Sequence, residues 1–158
     1  MRNLTLYGFL LLLLVSLFGC RDADLEALES YHQSIQQSVN PLMRDFAKKF
    51  AGIQSKTKLG PLRAYVTTTV VPALNKYIQA LNNTPCKTKR LSSIHSGLEG
   101  SYKKMGALLK RFGQEADTET KRLRLVVALR KQAKKLEKAL RTYRNALKAY
   151  STQVQNKK

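Results

Sequence analysis

The chain reads as an all-α protein, an antiparallel up-down four-helix bundle that follows an N-terminal signal peptide. Three observations predict this. Leu4 to Gly19 carry no charge and follow a single basic residue, Arg2. A short cationic start and an apolar run closed by small residues form a secretory leader, not part of a mature fold. Beyond it, apolar residues recur in steps of three and four to the end of the chain, which is the period of an amphipathic helix. Turn-forming residues cluster at 51–60, 82–85 and 113–118, leaving four segments of roughly 25 to 35 residues whose short connections favour antiparallel neighbours.

In the first segment the apolar face runs through Leu25, Leu28, Ile35, Val39, Leu42, Phe46 and Ile53, with His32 in the slot between Leu28 and Ile35. Asp22 or Asp24 can cap its start, where acidic groups suit the helix dipole. The face keeps its register across Pro41, so a kinked single helix is expected there. The second face comprises Leu59, Leu62, Val66, Val70, Leu74, Tyr77 and Leu81. Its Thr67-Thr68-Thr69-Val70-Val71 run has strand propensity, but the spacing on both sides and Pro72 argue for a helix, again kinked. Asn82 to Pro85 ends it.

The third face is Leu91, Ile94, Leu98, Tyr102, Met105, Leu109 and Phe112, interrupted by Gly97, Gly100 and Gly106. Glycines inside a helix cost about 1 kcal/mol each relative to alanine, so they are expected to mark close helix approach or a cavity. Asp117 or Thr118 caps the fourth helix. Its face is Val126, Leu129, Ala133, Leu136, Leu140, Tyr143, Leu147, Tyr150 and Val154, about 50 Å of helix from Lys121. An extended hairpin or a coiled-coil homo-oligomer is the competing architecture.

The leader ends in Leu17-Phe18-Gly19-Cys20, which resembles the lipobox of bacterial lipoproteins. The resemblance covers residues 1–20 only. It implies cleavage before Cys20, diacylation of that cysteine and a membrane-attached chain, with residues 1–19 a lipoprotein signal peptide and 20–158 one helical extracytoplasmic domain. With Arg21 after the cysteine, it implies the outer membrane in a Gram-negative cell. Simple secretion and an uncleaved anchor are the alternatives. A spanning helix needs about 20 apolar residues, whereas this run is shorter and includes Thr5 and Ser16. The terminal Lys158 is similar in position to the lysine through which murein lipoproteins join peptidoglycan, although their continuous coil differs from this Pro- and Gly-interrupted pattern.

The whole chain has a formal net charge of +19. Residues 87–158 carry twenty Lys and Arg against five Asp and Glu, and residues 20–86 carry eight against five. Such an excess predicts attraction to polyanions. The candidate anion-binding residues lie on the fourth helix. Arg130, Lys131, Lys134, Lys135, Lys138, Arg141, Arg144 and Lys148 fall away from the apolar seam, and Lys121, Arg122 and Arg124 extend the cationic end. Glu137 is the one acid after Glu119, so the i,i+4 lacing of an ordinary solvated face is missing. The expected partners are an anionic envelope polymer, lipid headgroups or an acidic protein, whereas cytoplasmic nucleic acid is not expected. Tyr102, Tyr143 and Tyr150 sit on apolar seams and read as core residues with polar tips.

Catalytic signals are missing. The chain has two histidines, His32 and His95, too few for a His-based triad or zinc site together with Cys86. Their places on the first and third helices suit axial haem ligation in a bundle, but no Cys-x-x-Cys-His motif accompanies them, and no cofactor is expected. The carboxylates gather at helix starts, where capping explains them. Cys86, with Cys20 lipidated, has no intramolecular partner, and its basic neighbours Lys87, Lys89 and Arg90 are expected to favour its thiolate. The expected function is that of a structural or binding protein and not an enzyme. The alternative is a carrier of a small hydrophobic ligand or cofactor in the bundle interior, beside the glycines of the third helix.

Overall fold

The computed structural model describes residues 23–156. The leader, the lipidation candidate Cys20, and Lys157 and Lys158 lie outside them. Six α-helical segments form four helices among the described residues. The first joins α1 (Ala23–Ser34) to α2 (Asn40–Ala51) through a π-helical turn at Ile35–Val39 and ends in a 3-10 turn at Gly52–Ser55. The second joins α3 (Leu59–Tyr65) to α4 (Val71–Asn82) through a second π-helical turn at Val66–Val70. The third is α5 (Lys89–Glu115) and the fourth α6 (Glu119–Gln155). There is no strand among the described residues.

Pro41 and Pro72, the two prolines that interrupt apolar faces, produce the same local solution. Each follows its π-turn by two positions, Pro41 after Val39 and Pro72 after Val70. A proline lacks its N–H and its ring crowds the carbonyl four residues back. The backbone widens by one residue to absorb this, so that Asn40 N–H donates to Ile35 O and Val71 N–H to Val66 O. The helix therefore continues through each proline. The Thr67–Val71 run lies in this wide turn instead of a strand, and the Thr68 hydroxyl donates to Ala64 O at 2.9 Å.

Side-chain caps define the later starts. The hydroxyl of Thr88 accepts from Leu91 N–H at 3.2 Å and that of Thr118 from Lys121 N–H at 3.4 Å, each satisfying a donor of a first helical turn. Arg63 on α3 reaches across to the end of α5. Its Nε donates to Gly113 O at 3.1 Å and its Nη2 to Gln114 O at 2.9 Å, satisfying carbonyls left open there.

Two apolar clusters form the interior. The larger is built on Val39, Phe46, Val66, Val70, Leu74, Tyr77, Leu98, Tyr102, Met105 and Leu109. Tyr77 and Tyr102 meet edge-on with ring centroids 4.6 Å apart, a favoured aromatic arrangement. The smaller cluster gathers Ala27, Leu28, Tyr31, Leu91, Tyr150 and Val154, the start of the first and third helices and the end of the fourth.

Three expectations about the core are corrected. Tyr31, with 0 % exposure, occupies the place assigned to His32, which is half-buried beside it. On α6, Leu125 and Gln132 are buried whereas Ala133 is exposed and Val126 and Leu129 are half-buried, so the seam is rotated relative to a strict heptad from Val126. Gln132 Nε2 donates to Ser101 O at 3.1 Å, which satisfies its amide in that position. The glycines of α5 also divide. A Cβ at Gly97 or Gly100 would meet nothing within 4 Å, while one at Gly106 would touch Leu74 and Ile78 in ordinary contact and one at Gly113 would collide with Thr67.

Candidate functional site

The outer face of α6 carries most of the sequence-predicted anion-binding residues. Arg124, Arg130, Lys131, Lys134, Lys135, Lys138, Arg141, Arg144 and Lys148 are all exposed. At 100° per residue they cover the side of the helix opposite Leu125, Gln132, Tyr143 and Tyr150. Among the described residues none of these nine is ion-paired to a carboxylate. Lys121 and Arg122 differ from them. Lys121 Nζ lies 3.0 Å from Asp117 and Arg122 Nη2 2.5 Å from Glu119. Lys121 in turn holds the Asp117 carboxyl below its ordinary range through their hydrogen bond. Their charges are locally balanced, unlike those of the nine. Leu123 and Val127 are 53 % and 63 % exposed on the same side of the helix.

Beside this face the four helices do not close. A cleft of about 380 Å³ opens between Phe50 and Ile53 of the first helix, Leu62 of the second, Phe112 of the third, and Val126 and Leu129 of the fourth. Arg130 and Gln54 add its polar groups. Such a volume, apolar walls and few polar groups are usual for small-molecule sites. Arg130 thus belongs both to the cleft and to the basic face. The sequence offers the glycines of the third helix as marks of close helix approach or of a cavity. Gly97 and Gly100 are not among the cleft residues, which are supplied instead by the spaces between all four helices.

The opposite end is joined by a hydrogen-bonded chain. His95 Nε2 lies 2.9 Å from Leu81 O. A carbonyl only accepts, so Nε2 carries the ring proton and Nδ1 accepts. Tyr31 Oη donates to Nδ1 at 2.9 Å, and Tyr143 Oη donates to Tyr31 Oη at 2.6 Å. One residue from each helix takes part. Burial lowers the His95 pKa below 6.5, against the opposing influence of the Leu81 carbonyl and Glu99. Burial likewise raises the phenols of Tyr31 and Tyr143 above their usual value. Tyr150 Oη donates to Asp24 at 3.1 Å, and the Arg90 guanidinium lies 5.3 Å from the Tyr150 ring centroid.

With both ring nitrogens of His95 engaged, the idea of axial haem ligation has no free ligand at that residue. No group of three or more His, Cys, Asp or Glu side chains suited to a metal occurs among the described residues. The Cys86 expectation is corrected as well. It is half-buried against the smaller cluster, and burial, followed by the charge of Glu99, raises its pKa above 9.0. The basic neighbours named by the sequence do not reverse that trend, so its thiol is not activated.

No helix of the described residues is long and apolar enough to cross a membrane. No family model, curated protein or solved structure matches the chain.

Proposed function

We propose that this is a lipid-anchored envelope protein whose four helices form an antiparallel up-down bundle and present the basic face of α6 to an anionic surface. The anchor is Cys20, the described domain is extracytoplasmic, and the location is the outer membrane in a Gram-negative cell. Support for the arrangement comes from end-to-end contacts. The start of the second helix meets the end of the third through Arg63 and Gly113, and its end meets the start of the third through Leu81 and His95. The contact of Asp24 with Tyr150 pairs the start of the first helix with the end of the fourth.

The observation that carries the functional reading is the set of exposed cations from Arg124 to Lys148 without carboxylate partners among the described residues. They extend along about 36 Å of helix, a length suited to an extended polyanion or a plane of headgroups. Each Lys or Arg near an anionic membrane contributes about 1 kcal/mol, and the lipid adds about 0.8 kcal/mol per buried CH2. The face does no chemistry on its partner.

The test is binding of the full chain, reconstituted in phosphatidylcholine nanodiscs, to heparin and to phosphatidylglycerol vesicles over a range of salt. Binding is expected to fall steeply as the Debye length shortens. Combined charge reversal at Lys134, Lys138 and Arg141 should weaken it at least tenfold, and unchanged retention refutes the basic-face reading. The mass of the mature N-terminus tests the anchor. An unmodified leader or a free Cys20 thiol contradicts it.

A further inference from the structure

We infer that the cleft between Phe50, Leu62, Phe112 and Leu129 is a binding site for a long-chain fatty acid, whose carboxylate pairs with Arg130. This goes beyond the surface role proposed above and does not depend on the cations farther along α6.

Three observations converge on it. First, Val126, Leu129 and Ala133 follow one another in the three- and four-residue steps of core positions, yet Ala133 is exposed and the other two are only half-buried. Phe50 and Ile53, on the facing helix, are likewise only partly buried. A sequence written for burial is here left partly uncovered, and an apolar chain lying in the cleft covers it. Second, the volume of about 380 Å³ lies in the range of sites that enclose small ligands. Third, the polar groups are few and of one kind. Arg130 is the charged group of the cleft and has no carboxylate partner among the described residues, and Gln54 adds amide donors to the same lining. A guanidinium matches a carboxylate through paired hydrogen bonds. A single-chain acid therefore fits better than a neutral lipid or a cation.

The occupant is a free acid and not an acyl group carried at the start of the chain, because an ester- or amide-linked acyl group has no carboxylate left to pair with Arg130. Exposed Leu123 and Val127 lie on the outer side of α6 near Arg130 and provide an apolar approach from a membrane.

The test uses the full chain in phosphatidylcholine nanodiscs and a diazirine analogue of palmitate, with labelled residues mapped by mass spectrometry. Labelling is expected within 50–54 and 126–133 and should be displaced by unlabelled palmitate. Arg130→Gln should weaken labelling about tenfold, the size of one lost charge-assisted pair. It should affect a diazirine analogue of hexadecanol, the matching alcohol, far less. Ala133→Trp, which fills the cleft from an exposed position, should reduce labelling to background while the helical circular-dichroism melt is retained. Should that variant fail to fold, Leu129→Phe serves the same purpose with a smaller change in volume. Labelling outside these two segments, or labelling indifferent to both Arg130→Gln and the filling variants, overturns the site. Reversal at Lys138 and Arg141 should leave labelling intact while weakening vesicle binding. If vesicle binding persists in the wild type and palmitate never labels the cleft, the fatty-acid site fails and the surface reading stands.

Discussion

The two ends of the helix assembly contain similar kinds of apolar residue, yet at one they pack together beneath a surface recess edged by Asp24, Arg90 and Gln153, and at the other they line an open cleft. At the first end, Tyr31, Leu91 and Val154 are buried, and a chain of polar atoms from Leu81 through His95 and Tyr31 to Tyr143 ties the four helices together. At the open end, Phe50, Ile53, Val126 and Leu129 surround a cleft, with Arg130 as its charge. The contrast teaches that the first end is built for stability. A buried network in which every member has a partner fixes the relative positions of helices. The second end keeps apolar surface available, the condition for a ligand.

The largest effect expected from this contrast is on truncation of Tyr31. Tyr31→Ala should cost about 3 to 5 kcal/mol in urea unfolding, as for other large buried aromatics. Leu129→Ala should cost less than about 2 kcal/mol, because its side chain already borders open space and the deletion makes no new sealed cavity. Equal costs would erase the distinction between the ends.

A smaller effect isolates the polar chain. Tyr31→Phe keeps the ring and removes the hydroxyl, leaving His95 Nδ1 without its donor and Tyr143 without its acceptor. The expected loss is about 1 to 3 kcal/mol, the usual cost of unsatisfied buried partners. Gly97→Ala and Gly100→Ala bear on the flank of α5 and should each stabilise by about 0.4 to 1 kcal/mol, since the new methyl meets open space. A destabilising alanine at either position would mean that these glycines face a neighbour after all.

The pH dependence is the finest discriminator, because it reads a single proton. His95 is held neutral in the folded state, with its pKa below 6.5. The unfolded chain therefore binds a proton first as pH falls. The stability that neutral His95 contributes is fully present above pH 6.5 and is lost on acidification through the interval below it. His95→Gln should remove that component of the acid slope, measured by urea midpoints across pH 5 to 8. At the alkaline side the sign is opposite. Burial raises Tyr31 and Tyr77 above 10.0, so stability should decline as pH rises past the unfolded phenol value.

Much of the helical layout was legible in apolar spacing. The turns at 56–58, 83–88 and 116–118 follow the clusters of Lys, Asn, Pro and Thr that mark them. The interior was less so, for physical reasons. Leu25, Leu28 and His32 make a plausible stripe, but Ala27 and Tyr31 make an adjacent one, and only packing decides which faces inward. On α6 the buried Tyr150 and Val154 keep to the predicted seam, but counted back from them in strict sevens it drifts by about 20° per heptad on a straight helix. Over the four heptads back to Val126 that comes to about 80°, enough to turn Leu125 and Gln132 inward and leave Ala133 outside. The prolines announced an interruption, but the π-turn that absorbs each is a property of the backbone hydrogen bonds. The nine cations without carboxylate partners among the described residues were visible from the scarcity of acids after Glu119, where Glu137 stands alone. The cleft was not, because it belongs to the gaps among four helices and no one segment encodes its shape.

The most direct test of the two-ended account is residue-resolved amide hydrogen exchange on the full chain in phosphatidylcholine nanodiscs, with and without palmitate. Exchange is predicted to be slowest around 91–98 and measurably faster at 50–55 and 126–133, where apolar contacts are fewer, and palmitate should slow the latter two segments alone. Uniform protection along all four helices without ligand, or protection by palmitate at both ends alike, would contradict the account.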